Sequence, residues 1–290
     1  MIGPAQVRSL VQQHWGLPVE AVEPLEGGMN SSTWLVTAAG TRHVGKAVSP
    51  AGRDDLADGC AVALRLAGHG LVTGAPVPTR AGEPMLHTPP FALVSHVRGR
   101  ELDPADARDQ ARLAGVLAQV HRAEPVPSGS AVGFLEGLLP EPRHAPGWLV
   151  PAGATVLAEV GTPLTWGTLH TDPAPEAFLH EEASGTTALI DWAGARPGPL
   201  LYDVASAVMY LGGEEPAAAF LDAYRGLGVL GEAELAMLPV WRRARWLIQA
   251  RYFSDRAARG DRTGLEEEAG NQQGLDRARR GLAALGVDVA

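Results

Sequence analysis

The chain has 290 residues, 46% of them hydrophobic and 20% charged, an ordinary globular composition with enough length to bury one large core or two smaller ones. Its 33 acidic and 24 basic side chains leave a formal charge of -9, which argues against a nucleic-acid binder built on phosphate contacts. No run of about 18 apolar residues is present, so no membrane span or membrane partner is expected. Met1 to His14 lacks a basic region leading into an apolar stretch, so no secretory signal is expected either. The single cysteine, Cys60, excludes an internal disulfide and suits a reducing cytoplasm. Of the 24 basic residues only Lys46 is a lysine. Codon bias towards arginine explains the composition, and it makes this one compact ammonium distinctive, because a guanidinium does not always replace it.

Helical spacing opens the chain at Pro4 to Trp15 (Val7, Leu10, Val11). Ala21 to Leu25 leads into a loop, Glu26-Gly27-Gly28-Met29-Asn30-Ser31-Ser32, followed by a strand over Thr33 to Thr37. A turn at Ala38 to Thr41 returns the chain as a second strand, Arg42 to Val48, which carries Lys46. Asp54 to Gly68 reads as a helix that opens on acidic residues, and Val77–Glu83 and Phe91–Val97 read as two further strands. Residues 1 to about 95 are thus expected to form a small, mostly antiparallel sheet with one inserted helix.

After Arg98-Gly99-Arg100 the texture changes. Pro104 to Arg122 is an amphipathic helix with Leu113, Val116, Leu117 and Val120 on one face. Residues 123 to 150 are rich in proline and glycine and read as loop, and Ala152 to Val160 is short and apolar. Helices are expected at Tyr202–Tyr210, Pro216–Tyr224, Ala233–Arg256 and Gly264–Leu285. The layout is α+β: a β-rich lobe over 1–97 and a larger, mainly helical lobe over 98–290.

Several familiar patterns fail. Gly226-Leu227-Gly228-Val229-Leu230-Gly231 has dinucleotide-loop spacing but follows a helix, with no strand–helix–strand unit around it. Gly45-Lys46-Ala47 lacks the upstream glycine and the hydroxyl of a phosphate-binding P-loop. The nine histidines show no metal-ligand spacing, and there is no nucleophile elbow.

Three elements hold, in order. The glycine-rich loop at 27–32 can bring amides and Asn/Ser side chains close to phosphate oxygens, although a plain hairpin turn has the same composition. Lys46 follows on the next strand, with Asp55 and Asp58 on one face of the helix after it to hold the ammonium; an edge-strand surface lysine is the alternative. The third element is Leu169-His170-Thr171-Asp172-Pro173-Ala174-Pro175-Glu176-Ala177-Phe178-Leu179, then Ala188-Leu189-Ile190-Asp191-Trp192. Asp172 and Asp191 each follow an apolar strand-like run, and Ala177–His180 can pair with Thr186–Ile190 as a hairpin. That hairpin would bring the two carboxylates to one end of a small sheet, although Asp172 before Pro173 could also be a turn residue.

This order of glycine-rich hairpin, strand lysine, acidic helix, His-x-Asp loop, hairpin, Ile-Asp-Trp and Tyr202-Asp203-Val204-Ala205 resembles the aminoglycoside phosphotransferase family, within the wider protein-kinase-like fold that includes choline and homoserine kinases. The resemblance spans essentially the whole chain and is most specific over residues 166–210. It implies that Asp172 orients the acceptor hydroxyl and takes its proton, that Asp191 binds Mg²⁺ bridging the phosphates of ATP or GTP, and that Lys46 holds the α/β-phosphates. Gly27, Gly28, Asn30 and Ser31 would cover those phosphates, and Ser95, His96 and Val97 would present backbone groups to the base. Asp203 and His170 would brace the loop. Phosphoryl transfer asks mainly for positioning and charge stabilisation, which such residues supply.

The chain departs from that pattern at Ala177, where the family carries a metal-binding asparagine. Glu176 is expected to replace it, provided Pro173 and Pro175 reshape the loop, since neighbours on extended backbone point opposite ways. The expected partners are a nucleotide and a small hydroxyl-bearing acceptor, an antibiotic first of all, with no nucleic acid and with a monomer or weak dimer as the assembly. Asp255, Asp261 and Glu266 to Glu268 are candidate contacts for a cationic acceptor, or else solvated helix surface. A metabolic kinase acting on a choline-, homoserine- or sugar-like alcohol, and a nucleotide-binding pseudokinase, are the alternatives.

Overall fold

A computed structural model of the chain describes residues 2–25, 29–139, 145–161, 163–264 and 269–290. Gly27 and Gly28 of the glycine-rich loop, and Glu266 to Glu268, lie outside the described residues. In chain order the elements are α1 (Pro4–Leu10, continued by a wider turn over Val11–Trp15), β1 (Val19–Leu25), β2 (Ser31–Ala38), β3 (Thr41–Val48), α2 (Arg53–Gly68), β4 (Leu86–His87), β5 (Pro90–Ser95) and β6 (Arg100–Glu101). There follow α3 (Ala107–Ala123), α4 (Ala131–Leu138), α5 (Leu149–Glu159), β7 (Trp166–Leu169), β8 (Phe178–Glu181), β9 (Thr186–Leu189) and β10 (Arg196–Pro199). Helices α6 (Leu201–Tyr210), α7 (Ala218–Gly226), α8 (Glu232–Leu235), α9 (Leu238–Arg259) and α10 (Gly270–Ala284) complete the chain. The molecule divides into two units, Met1–Leu102 with Glu176–Arg196, and Asp103–Pro175 with Pro197–Ala290.

The first unit is built on an antiparallel sheet in the order β1-β2-β3-β5-β4. Alternation along its strands gives two apolar faces. One buries Trp34, Val36, Ala47, Phe91 and Leu93 against Val7, Val11 and Trp15 of the N-terminal helix. The other buries Ala92 with Met85 against Leu56 and Cys60 of α2. Lys46 pairs in register with Ala92, so it stands on the α2 face. The hairpin expected around 177–190 forms as β8 and β9, with Phe178 opposite Leu189, and β6 extends it to a three-stranded sheet.

The second unit is mainly helical. Asp106 caps α3 by accepting the amides of Arg108 at 2.7 Å and Asp109 at 3.0 Å, and the expected stripe of Leu113, Val116, Leu117 and Val120 is buried. Trp241, Tyr224, Phe220, Leu113, Leu117 and Leu135 are among its fully buried side chains. The chain is therefore α+β, with an antiparallel β N-lobe and a helical C-lobe.

Three expectations are corrected. Val77–Glu83 is not a strand: Pro76 makes a single bridge to Val94, and the chain then turns, with the Thr79 amide donating to the Glu83 carbonyl at 2.8 Å. Pro76 and Pro78 lack amide donors, so the segment cannot sustain a ladder. Residues 123–150 contain a helix, α4, capped by the Ser130 hydroxyl on the Gly133 amide at 3.0 Å. The helix expected over Ala233–Arg256 breaks between Leu235 and Leu238, because Pro239 has no N–H for an interior turn and instead takes the first turn of α9.

One glycine makes a sharp prediction. A Cβ on Gly59 of α2 would lie 2.4 Å from the backbone oxygen of Trp192, so α2 approaches the Asp191-Trp192 turn through a position with no side chain. Gly59→Ala should destabilise the protein by about 1–3 kcal/mol in a denaturant melt, despite alanine's better helix propensity.

Candidate active site

In the first unit, β3 presents Lys46 and the turn after β9 presents Asp191, and the two form an ion pair with side chains 14% and 54% exposed. Asp191 adopts a left-handed backbone (φ 66°), and the turn is pinned by the Trp192 indole N–H, which donates to the carbonyls of Thr73 at 3.1 Å and Leu189 at 3.0 Å. The carboxylate on Lys46 is thus Asp191 rather than one from α2. Asp55, in the first turn of α2, pairs with Arg196 at 3.6 Å, and Asp58 is exposed. Cys60 of α2 is buried with Ala92 on the same face of the sheet, and burial pushes its thiol up to about 11, against the lowering influence of Lys46, so it is protonated and unreactive at neutral pH.

Asn30 is exposed at the end of the glycine-rich loop, whereas Ser31 is buried as the first residue of β2, opposite Val48. At the end of β5 the Ser95 amide is used within the unit, donating to the Ala75 carbonyl at 2.9 Å. His96 and Val97 are half-buried, and burial, helped by Arg42 and Arg98, lowers the His96 pKa and keeps its ring neutral at pH 7. Glu176 is exposed, and the backbone there is a tight helical turn over Pro175–Ala177, so the alternation of an extended chain does not apply to it. Ala177 accepts the Ile190 amide at 2.9 Å, which ties the Glu176 turn to the residue before Asp191.

In the second unit, the His170–Asp172 loop is held from below. Asp203 at the start of α6 is fully buried and accepts the amides of His170 at 2.7 Å and Thr171 at 2.8 Å. His121 stands 3.3 Å from the same carboxylate and 2.7 Å from the Tyr224 hydroxyl. These charge-assisted bonds hold Thr171 in a left-handed conformation (φ 73°) that a β-branched residue rarely adopts. Asp172, the next residue, is 59% exposed and accepts from Tyr210 and from Arg245 Nη2 at 3.0 Å. Sequence reasoning missed both partners. Tyr210 ends an expected helix in which only Asp203 is singled out, and Arg245 is one arginine in a run of them. Its only distinguishing property is burial, at 5% exposure, which no local pattern reveals.

Among the described residues, no group of three or more His, Cys, Asp or Glu is gathered so as to hold a metal ion unaided. Carboxylate oxygens of the kind that Asp191 and Glu176 carry suit a hard divalent cation, which takes one or two of them and completes its shell with water and phosphate oxygens.

A β-rich lobe carrying a strand lysine and a helical lobe carrying a braced His-x-Asp loop define the protein-kinase-like class of fold. The model of the phosphotransferase enzyme family (APH) matches residues 21–247, and the chain belongs to that family. The fold is similar to that of the choline kinase LicA from Streptococcus pneumoniae (TM-score 0.71, 16% identity, covering 97% of this chain and 98% of that one). It is also similar to spectinomycin phosphotransferase APH(9)-Ia in complex with ADP and spectinomycin (TM-score 0.68, 11% identity, 98% and 99% covered). A microcompartment-associated aminopropanol kinase matches with TM-score 0.67 and 18% identity over 99% and 100% of the two chains. No curated protein matches by sequence. The chain is therefore a phosphotransferase of that family. Among the described residues no helix is long and apolar enough to cross a membrane.

Proposed function

We propose that this enzyme transfers the terminal phosphoryl group of ATP or GTP to a hydroxyl of a small natural product, with an antibiotic as the first class of acceptor, in the cytoplasm and as a monomer or weak dimer. The observation that carries the reading is an exposed Asp172 on a loop pinned by a fully buried carboxylate, an arrangement whose rigidity serves positioning rather than packing. In this reading Asp172 takes the acceptor proton and Lys46 neutralises the α/β-phosphates. Gly27, Gly28, Asn30 and Ser31 cover those phosphates, and backbone groups of Ser95, His96 and Val97 meet the base. Residues 1–97 act as the nucleotide lobe and 98–290 as the catalytic and acceptor lobe. Because the Ser95 amide is already bonded, its carbonyl and the groups of His96 and Val97 carry that contact.

Asp191 and Glu176 would hold Mg²⁺, which supplies charge neutralisation at the phosphates when bound. Glu176→Ala should raise the Mg²⁺ concentration needed for half-maximal activity by about 10-fold or more. An unchanged Mg²⁺ titration would remove Glu176 from the ligand set.

A second reading is a metabolic alcohol kinase, and one observation favours it. Of the acids expected to meet a polycationic drug, the two among the described residues are engaged: Asp255 pairs with Arg251 at 3.1 Å and Asp261 with Arg256 at 3.1 Å. Burial of Asp261 is outweighed by its bonds to Thr263 and by Arg256, so its pKa is lowered and the pairing persists at mildly acid pH. A panel of choline, homoserine, 1-amino-2-propanol, spectinomycin, aminoglycosides and macrolides separates the readings, alongside inhibitory-concentration assays with an Asp172→Asn control. Resistance lost in the control supports the antibiotic reading. Turnover confined to the simple alcohols supports the metabolic one.

A further inference from the structure

We propose that Arg245 and Tyr210 clamp one oxygen of Asp172 and thereby fix its other oxygen as the atom that receives the acceptor's proton. The inference rests on Asp172 being the base. Tyr210 closes α6 and Arg245 lies within α9, yet both donate to Oδ1 of Asp172, Tyr210 through its hydroxyl and Arg245 through Nη2 at 3.0 Å. Oδ2 makes no hydrogen bond among the described residues.

The clamp is itself fixed. Arg245 Nε donates to Ser206 Oγ at 3.0 Å, Ser206 in turn donates to the Tyr202 carbonyl at 2.9 Å, and Nη1 donates to Gln249 Oε1 at 2.7 Å. Nη2 also donates to the Tyr210 hydroxyl at 3.1 Å, and the guanidinium lies 5.6 Å from the Tyr210 ring centroid. Only a planar fork satisfies this many acceptors at once. A carboxylate rotates about its Cβ–Cγ bond and offers either oxygen; here a buried cation, 5% exposed, holds a carboxylate that is 59% exposed, so one oxygen is spent on orientation and one faces outward. Burial, with Asp172 adding to it and Arg245 opposing, keeps the Tyr210 hydroxyl protonated and hence a donor. Burial works against the Arg245 charge, but its surroundings, the bonded Asp172 carboxylate among them, more than offset it, so the guanidinium stays charged.

In the transfer, the acceptor oxygen bonds to the γ-phosphorus while the bond from that phosphorus to the β–γ bridging oxygen breaks. The bridging oxygen leaves with its electron pair as part of the nucleoside diphosphate, and the hydroxyl proton passes to Oδ2. Arg245 and Tyr210 touch neither substrate; they are positioning residues.

The test uses the full chain with ATP and whichever alcohol of the panel above turns over fastest, or with water as acceptor, read as release of inorganic phosphate. Tyr210→Phe should lower kcat about 10-fold and Arg245→Lys about 10²-fold, with KM for ATP and affinity for ADP within about twofold of the parent. The double variant should be little worse than Arg245→Lys, because the two residues act on the same oxygen. Parental kcat in Tyr210→Phe and Arg245→Lys, alongside an inactive Asp172→Asn, overturns the clamp alone. An active Asp172→Asn overturns the base reading beneath it. Losses that track KM for ATP or the fraction of folded protein also overturn the clamp, and if Arg245→Lys does not fold, Tyr210→Phe decides, since it removes one hydroxyl and keeps the ring.

Discussion

Asp172→Asn should lower turnover by about 10²–10⁴-fold, the contribution of a positioned general base, and should leave ADP affinity within about twofold. Asparagine keeps an oxygen for Tyr210 and Arg245, so this variant separates chemistry from folding. Asp172→Ala does not. It removes the carboxylate that Arg245 touches among the described residues and leaves a buried guanidinium without that partner. Because Asp172 is 59% exposed and water can partly replace it, the expected cost is about 1–3 kcal/mol in a denaturant melt rather than the larger penalty of a sealed ion pair. An inactive Asp172→Ala variant should therefore be read beside its melting curve.

Lys46→Ala should lower turnover by about 10²-fold or more, the scale of losing one preorganised charge at a phosphate, and should weaken ADP binding as well. Its effect on stability should be small, at most about 1 kcal/mol, because the partner Asp191 is 54% exposed and can be hydrated. Lys46→Arg should recover little. The ammonium sits on the α2 face of the sheet opposite Ala92, where a compact charge fits and a planar fork has different reach. Turnover that survives Lys46→Ala would mean that its ion pair with Asp191 is only a surface contact.

Where periodicity and turn chemistry act locally, the sequence was legible. The β2–β3 hairpin, the β8–β9 hairpin and the stripe of α3 all follow from alternation or from helical spacing, and the two hairpins carry Lys46 and lead into Asp191. Expectations failed where a single backbone group decides the outcome. Prolines at 76 and 78 strip donors from an otherwise strand-like run, Ser130 caps a helix whose glycines disguise it, and Pro239 divides α8 from α9. The partner of Lys46 was misassigned for a different reason. Helix spacing shows which acids share a face of α2, but the left-handed turn at Asp191 that brings a distant carboxylate to β3 leaves no periodic trace. Arg245 and Tyr210 were invisible for the same reason, since they lie 73 and 38 positions from Asp172. A single arginine can be recognised as buried only once the helix that carries it has packed.

Product analysis tests the central claim most directly. The enzyme is incubated with Mg²⁺ and ATP or GTP labelled in the γ-phosphate, against the full panel of alcohols. A labelled phosphomonoester of one alcohol should form with the native chain and fall to background with Asp172→Asn. Measurable nucleotide binding with no labelled product from any alcohol would contradict that account and leave a protein that holds nucleotide without transferring it.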